Sequence, residues 1–475
     1  MTSIFQKGKM QNLYDEVGSL DQRCYEEFGL SEDILMEHAA EGMARYIRQH
    51  FPPHSSVLIV TGSGNNGADG ITLARLLHKE YDTSLCLAKE PKSPMAQLQH
   101  KRVQNIGVQV VNELHKADVI VDAIVGTGFR GEFDADIGTI IQTLNSFDVY
   151  KIACDIPSGV QSDGSVAQVC FSADTTLTMG ALKKSLFSDM AKDCVGEIEV
   201  VELGVSRGVY EQPSLWHLLD LSDAKLPHRA EKNTHKGSFG HLAIACGQKS
   251  GASIIASSAA LRFGAGLVTL VGYENEHTLS IPHTLMYSHA LPANTTAIAL
   301  GMGLGYEFSD TELDTLLDNS LPLIADADIF HMQIIKKILT RDSVVLTPHP
   351  KEFVSLLKAT SLADISVEEL QSKRFYYAEL FSKHYPNVVL LLKGANVIIA
   401  CGGEYFINPY GSAKLAKGGS GDVLSGLIGA LLAQGYTPKD AAITASLTHT
   451  RLAQNYTGAD FSLTPDDLIE GLGKL

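Results

Sequence analysis

Apolar positions along the chain follow two periods. Between residues 32 and 50 they recur at helical spacing (Ile34, Leu35, Met36, Ala39, Ala40, Met43, Ile47), which predicts an amphipathic helix closed by Pro52 and Pro53. Short, continuous apolar runs follow, separated by helix-like stretches. Runs 57–61, 84–88, 119–125 and 149–155 read as buried strands, with a glycine loop after the first and a helix over 71–80. Strands this apolar belong to a parallel sheet covered by helices on both faces. The pattern weakens over 207–234, where Pro213, Pro227, a charge cluster and the only Trp, Trp216, fall. It restarts at 241–246 and continues through 267–271, 297–300, 323–326, 344–347, 388–393 and 397–400. A last helix over 422–434 has Gly435 beyond it as a stop. The expectation is two unequal α/β halves joined near residue 220.

Composition narrows this picture. A chain of 475 residues holds two or three domains. Charged residues are 19% and glycines number 42, which points to buried strands and tight turns, not disorder. There are 54 acids against 38 bases, a net charge of −16, which argues against a nucleic-acid or acidic-membrane binder. The seven cysteines are odd in number and include no C-x-x-C pair. They read as reduced thiols, so a cytoplasmic location is expected. The first residues carry no apolar signal-like run, and no apolar stretch reaches the ~18 residues of a membrane span.

The unusual residues gather after the strands, where open α/β sheets bind ligands. The run 57–61 enters Gly62-Ser63-Gly64-Asn65-Asn66-Gly67-Ala68-Asp69-Gly70. This loop matches G-x-G-x-x-G, with Glu90 some twenty residues on, so a nicotinamide dehydrogenase is one reading. Its Asn and Asp oxygens also suit a hard cation or sugar hydroxyls, or they only cap a helix. Asp122 sits inside an apolar run and needs a partner. Gly126 to Gly131 and Ile156-Pro157-Ser158-Gly159 end the next two strands. In the second half, Lys417-Gly418-Gly419-Ser420-Gly421-Asp422 precedes a helix. Its N–H groups can hold a phosphate, and Asp422 can take a proton from an attacking hydroxyl, or simply cap the helix. Gly301 to Gly305, Asp326-Ala-Asp328, the loop Thr347 to Glu352, and Lys393 to Asn396 lie at neighbouring strand ends. No P-loop, H-E-x-x-H or G-x-S-x-G occurs.

These segments together resemble a known family. HKGSFGHLAIACG, AALRFGAGLVTL, GMGLG, LIADAD, LTPHPKEF, LLKGANV and AKGGSGDVLSG are similar to the ADP- or ATP-dependent NAD(P)H-hydrate dehydratases of the ribokinase-like group. GSGNNGADG, VDAIVGTGFRG and CDIPSGV are similar to the NAD(P)H-hydrate epimerases. In this order they resemble the bifunctional nicotinamide nucleotide repair enzymes of bacteria. The resemblance implies an N-terminal Rossmann-like three-layer sandwich (1–217, epimerase) and a C-terminal ribokinase-like three-layer sandwich (218–475, dehydratase). It implies that Asn65, Asn66, Gly67, Ala68, Asp69, Gly126, Thr127, Gly128, Phe129, Arg130, Gly131, Glu132 and Asp155 hold hydrated NADH or NADPH. Asn66, Asp122 and Ser158 would bind K⁺, and Asp155 would be the acid/base of epimerisation.

In the second half, Ala265, Gly303, His349 and Asp422 would contact the hydrated nucleotide. Lys393, Gly394, Ala395, Asn396, Val397 and Gly421 would contact ADP or ATP with Mg²⁺. Asp422 would be the base, and Gly419, Ser420 and Gly421 the anion hole. A homo-oligomer is expected, with no nucleic-acid or membrane partner. Ala68 stands where the family pattern has Gly, Lys351 where it has Gly, and Met302 where it has Pro. A ribokinase-like vitamin or sugar kinase fused to a nucleotide-binding module is the alternative.

Overall fold

The computed structural model describes residues 10–272, 281–305 and 308–475. It divides into two compact units, Gln11–Trp216 and His217–Leu475.

The first unit is built on seven strands, all paired in parallel. Across the sheet they run Gln109–Val111, Asp82–Leu87, Ser56–Thr61, Val119–Ala123, Tyr150–Cys154, Thr175–Met179, Glu197–Val201. Strand residues are buried on both faces. Val57 and Ile59 join Met43, Ile47 and Ile71 in one core, while Leu58 and Val60 join Ile137, Ile141 and Leu144 in another. That two-sided burial is why these strands read as unbroken apolar runs. The result is a three-layer sandwich. From Ser56–Thr61 the chain first crosses to Asp82–Leu87 on one side, then to Val119–Ala123 on the other. The loops after Thr61 and Ala123 therefore flank a topological switch point, where a crevice forms for a ligand.

In the second unit, nine strands follow one another in the order Glu404–Asn408, Val397–Cys401, Val388–Leu392, Val344–Leu346, Leu323–Ala325, Ala297–Leu300, His241–Ala245, Leu267–Val271, Met286–Ser288, within a larger sheet. The first two pairings are antiparallel and the others parallel. On one face the helices Ser250–Arg262 and Ser420–Ala433 pack together closely: a Cβ at Gly426 would lie 2.2 Å from the Ala256 carbonyl oxygen. On the other, Phe353 and Phe381 meet edge to face with ring centroids 5.8 Å apart.

The structure corrects several predicted bounds. The helix expected over 71–80 runs Asn65–Leu77, so most of the predicted glycine loop is helix. The strands expected to end at 125, 155 and 393 end at Ala123, Cys154 and Leu392. The helix expected last, over 422–434, starts at Ser420 and is not the last, since helices Pro438–Asn455 and Pro465–Gly471 follow it. Strands Gln109–Val111, Thr175–Met179, Glu197–Val201, Met286–Ser288 and Glu404–Asn408 were not anticipated. Two are polar on alternate positions or Thr-rich, unlike the apolar runs. The hairpin before Glu404 turns on Gly402 and Gly403, at φ +57° and +85°, a pair that suits its twist.

Candidate active sites

In the first unit, Asp122 is the fourth residue of Val119–Ala123 and is fully buried. Ser158 supplies the partner its sequence context demanded. The Ser158 amide donates to Oδ2 at 2.7 Å and its hydroxyl to Oδ1 at 2.7 Å, while the Ile124 amide donates to Oδ1 at 3.1 Å. Burial still pushes the carboxyl up to about 6. The Val125 amide donates to Ser158 Oγ at 3.1 Å, and the next residue, Gly126, backs onto Asn66: a Cβ there would sit 3.2 Å from Asn66 Cβ. Oδ1 and Nδ2 of Asn66 are buried without a hydrogen-bond partner. An orphaned amide is costly, and a cation taking oxygen ligands would satisfy Oδ1. Asn66 Oδ1 is thus the open oxygen that fits a cation such as K⁺, while Asp122 and Ser158 are bonded to one another.

Asn65 Nδ2 donates to Glu32 Oε1 at 2.7 Å. Gly67 is needed for close approach, not for a turn, since a Cβ would lie 2.1 Å from the Gly62 carbonyl oxygen. Ala68 turns its methyl into a small core with Met36, Met95 and Ala96, so the departure from Gly fills space beneath the loop. Loop 126–132 is held from within. Arg130 donates to the Thr127 and Phe129 carbonyls at 2.8 and 2.6 Å, and Phe129 stacks on Phe133 at 4.1 Å. The Gly131 amide donates to Gln161 Oε1, and Glu132 Oε2 accepts from the Gln168 amide.

Asp155 follows its strand in the left-handed region, φ +69°, with its amide donating to the Leu177 carbonyl. Such a conformation in a non-glycine residue is strained and marks functional positions. Its Oδ1 accepts from Lys183 Nζ at 2.5 Å and the Met179 amide at 3.0 Å. Asp69 faces the same space. Burial first, then the charges of Asp155 and Asp21, lift its carboxyl well above the usual range. Asp21 is itself raised by burial and accepts from Tyr210 at 2.7 Å. Lys183, Asp21 and Tyr210 escaped the sequence reading. The Lys-Lys pair after the Thr175–Met179 run was the one available signal.

In the second unit, Gly419 caps the helix Ser420–Ala433 at φ +86°, packed on Pro465, which leaves a Cβ no room. Asp422 is therefore in the first turn and not the cap. Its carboxylate makes no hydrogen bond or ion pair among the described residues. Burial, then the charge of Asp326, pushes it up to about 6. Lys393 stands over the turn, with Nζ 3.6 Å from where a Gly421 Cβ would be. It pairs with Asp326 Oδ1 at 2.8 Å, and Ser425 Oγ donates to Oδ2 at 2.7 Å. Glu352 Oε2 lies 3.9 Å from the same ammonium, and burial lifts that carboxyl to about 6. Ser420 Oγ meets His449 Nε2 at 3.1 Å; burial lowers this histidine to about 4, so it is neutral.

His349 is the cap of the helix Pro350–Ala359, not a loop residue: its amide donates to Glu352 Oε2 and its Nδ1 accepts the Glu352 amide. Its side chain stays about half exposed, and partial burial with the Lys393 charge lowers it. Gly303 has φ +65°, and Met302 is buried in the core. Ala265 is buried in the turn after the helix Ser250–Arg262. Buried Arg374 holds the segment 393–397, donating to the Leu392, Lys393 and Asn396 carbonyls. Sequence gave no sign of this role. Lys351 is exposed, and Lys417 Nζ donates to the Phe461 carbonyl.

One site is lined by oxygens at a switch point, and the other offers an anion cradle beside a raised carboxyl. Together they define a nucleotide-handling α/β enzyme with a separate centre in each unit. Residues 242–473 match the family described as NAD(P)H-hydrate dehydratase, and residues 32–185 match the YjeF-related protein N-terminus. The chain is 44% identical to the bifunctional NAD(P)H-hydrate repair enzyme Nnr of Helicobacter pylori, over 98% of this chain and 100% of that protein. It is 32% identical to Nnr of Coxiella burnetii, over 99% of each, and 32% identical to Nnr of Escherichia coli, over 92% and 87%. The solved structure of the ADP/ATP-dependent NAD(P)H-hydrate dehydratase of Bacillus subtilis, co-crystallised with ATP/Mg²⁺, shares 29% identity over 53% of this chain and 94% of that one, with TM-score 0.46. The chain belongs to the family of bifunctional NAD(P)H-hydrate repair enzymes. The vitamin or sugar kinase alternative is not favoured.

Proposed function

We propose that the chain epimerises R- and S-hydrated NADH and NADPH at one site and dehydrates the S form at the other, at the expense of ADP or ATP. The epimerase is assigned to residues 1–217 and the dehydratase to 218–475. The observation that carries the second assignment is the Asp422 carboxyl, raised and unpaired, at the head of a glycine turn beneath Lys393. A hydroxyl is a poor leaving group. Asp422 takes its proton as the hydroxyl oxygen attacks the terminal phosphorus and the phosphoanhydride bond breaks, releasing AMP from ADP or ADP from ATP. The Gly419 and Gly421 amides hold the transferring phosphoryl group, while the Ser420 amide donates to the Lys417 carbonyl at 3.2 Å. The new phosphate then leaves C6, C5 loses a proton, and the dihydronicotinamide ring is restored.

Asp326 is committed to Lys393 and Ser425, and Asp328 Oδ2 accepts the Gly305 amide at 2.8 Å. These carboxylates do not form a cage, which fits a cation arriving on the nucleotide. When bound, Mg²⁺ supplies charge shielding for the phosphates. In the first unit, Asp155 assists inversion at C6, and loops 65–69 and 126–132 hold the nucleotide. K⁺ held by Asn66, Asp122 and Ser158 supplies positive charge beside that pocket.

The seven free cysteines fit a reducing, cytoplasmic setting. No helix among the described residues is long and apolar enough to cross a membrane. A homo-oligomer is part of this reading, checked by light scattering. The deciding assay supplies hydrated NADH with ADP or ATP and Mg²⁺. Return of dihydronicotinamide absorbance, with phosphate released, supports the reading; accumulation of a stable phosphorylated product overturns it.

A further inference from the structure

Asp155 is fixed by a network in which one side chain has no assigned role. Lys183 is fully buried, with its side chain 1% exposed. Its ammonium spends all three protons: on Asp155 Oδ1 at 2.5 Å, Thr178 Oγ1 at 3.0 Å and the Met179 carbonyl at 3.0 Å. A buried ammonium is tolerated only when paired and fully bonded. This one meets both conditions.

Every bond to the Asp155 carboxyl falls on the same oxygen. Oδ1 takes Lys183 Nζ, the Met179 amide at 3.0 Å, and the Thr178 hydroxyl at 3.5 Å. Among the described residues Oδ2 has no partner, although the carboxylate is 13% exposed. The backbone repeats this asymmetry. The left-handed φ of Asp155 turns it toward Thr178 and Met179, the end of the neighbouring parallel strand. The segment 182–184 is fixed in turn, because the Tyr14 amide donates to the Leu182 carbonyl and the Lys184 amide to the Tyr14 carbonyl. Lys183 is also the cation that offsets three carboxyls sharing this space, Asp155, Asp69 and Asp21. Without it, a charged Asp155 beside two other acids would be uncompensated.

We infer that Lys183 is the positioning residue of the epimerase centre: its ammonium locks Oδ1 of Asp155 so that Oδ2 alone is presented to the hydrated ring. This rests on the reading of Asp155 as the acid/base. Lys183 touches the carboxylate and not the substrate, so its loss acts on turnover more than on binding.

The test uses the full-length chain and the R epimer, consumed in the presence of excess dehydratase. Lys183→Ala lowers kcat about 100-fold with KM within about 3-fold, the size expected when an acid/base is misplaced. Propylammonium, which replaces the missing stem and charge, restores at least about 10-fold of the loss, and propanol does not. Dehydration of the S epimer by the same protein stays at wild-type rate. Wild-type epimerisation by Lys183→Ala, or equal rescue by propanol, overturns the proposal. Should that variant fail to fold, Thr178→Val removes one Nζ acceptor; a kcat loss of about 10-fold is expected, and an unchanged kcat overturns the proposal. Asp155→Asn separates the two claims. If it turns over like wild type, the acid/base reading falls; if it is inactive while Lys183→Ala is intact, only the positioning role falls.

Discussion

Asp422 shows how function is placed on single residues. A carboxyl lifted to about 6 by burial is a better proton acceptor near neutrality than an ordinary one. The folded state binds its proton more tightly than the unfolded chain does. That raised value therefore costs stability as pH climbs through the window from about 4 to 6, and the cost persists above it. Asp422→Asn should abolish dehydration, retain ADP binding by calorimetry, and raise the melting free energy at pH 7–8 by about 1–3 kcal/mol. The acid limb of dehydratase kcat/KM should fall away below about pH 6. Asp122 and Asp422 were legible because a carboxylate inside an apolar run, or behind three glycines, has few structural reasons to be there. Lys183 and Arg374 were not. Their partners lie 28 and about 20 positions away in sequence, and only the fold brings them together.

At the scale of elements, the central strands lie where the apolar runs put them, with ends one or two residues short of those expected, and the reading of glycines needed revision. Gly62 to Gly70 reads as a glycine loop in the sequence, and glycine weakens helices. The helix starts at Asn65 all the same, because Gly67 and Gly70 let it press on the strand ends. A Cβ at Gly70 would lie 2.6 Å from Ala123 Cβ. Gly67→Ala should therefore push the helix off Gly62, destabilise the first unit by about 1–3 kcal/mol in denaturant melts and abolish epimerisation, with S-epimer dehydration intact. The parallel core of both sheets was visible as apolar runs. The edge strands Gln109–Val111, Glu197–Val201 and Met286–Ser288 were not, since half-exposed positions break such runs, and the interior strand Thr175–Met179 is buried but has its apolar run broken by Thr.

For the whole molecule, two units with separate cores imply two responses to heat. The first unit packs around Met43 and Ile59 on one face of its sheet and Leu58 on the other, and the second around Leu427, Ile324 and Leu391. ADP at about a hundredfold its Kd should stabilise the second unit by about 2.7 kcal/mol and leave the first transition in scanning calorimetry unmoved. A single transition that shifts as one would show that the units melt together. The net charge of −16 means that anionic nucleotides are gathered locally and not by the molecule's field. Lys393 sits among Asp326, Glu352 and Asp422, two of them titrating near 6. A polyanion seated there raises those two carboxyls further, so nucleotide capture is also proton uptake. ADP should bind more tightly as pH falls from 8 to 6. Its apparent binding heat should also differ between phosphate and Tris buffers by the heat of the proton each one gives up.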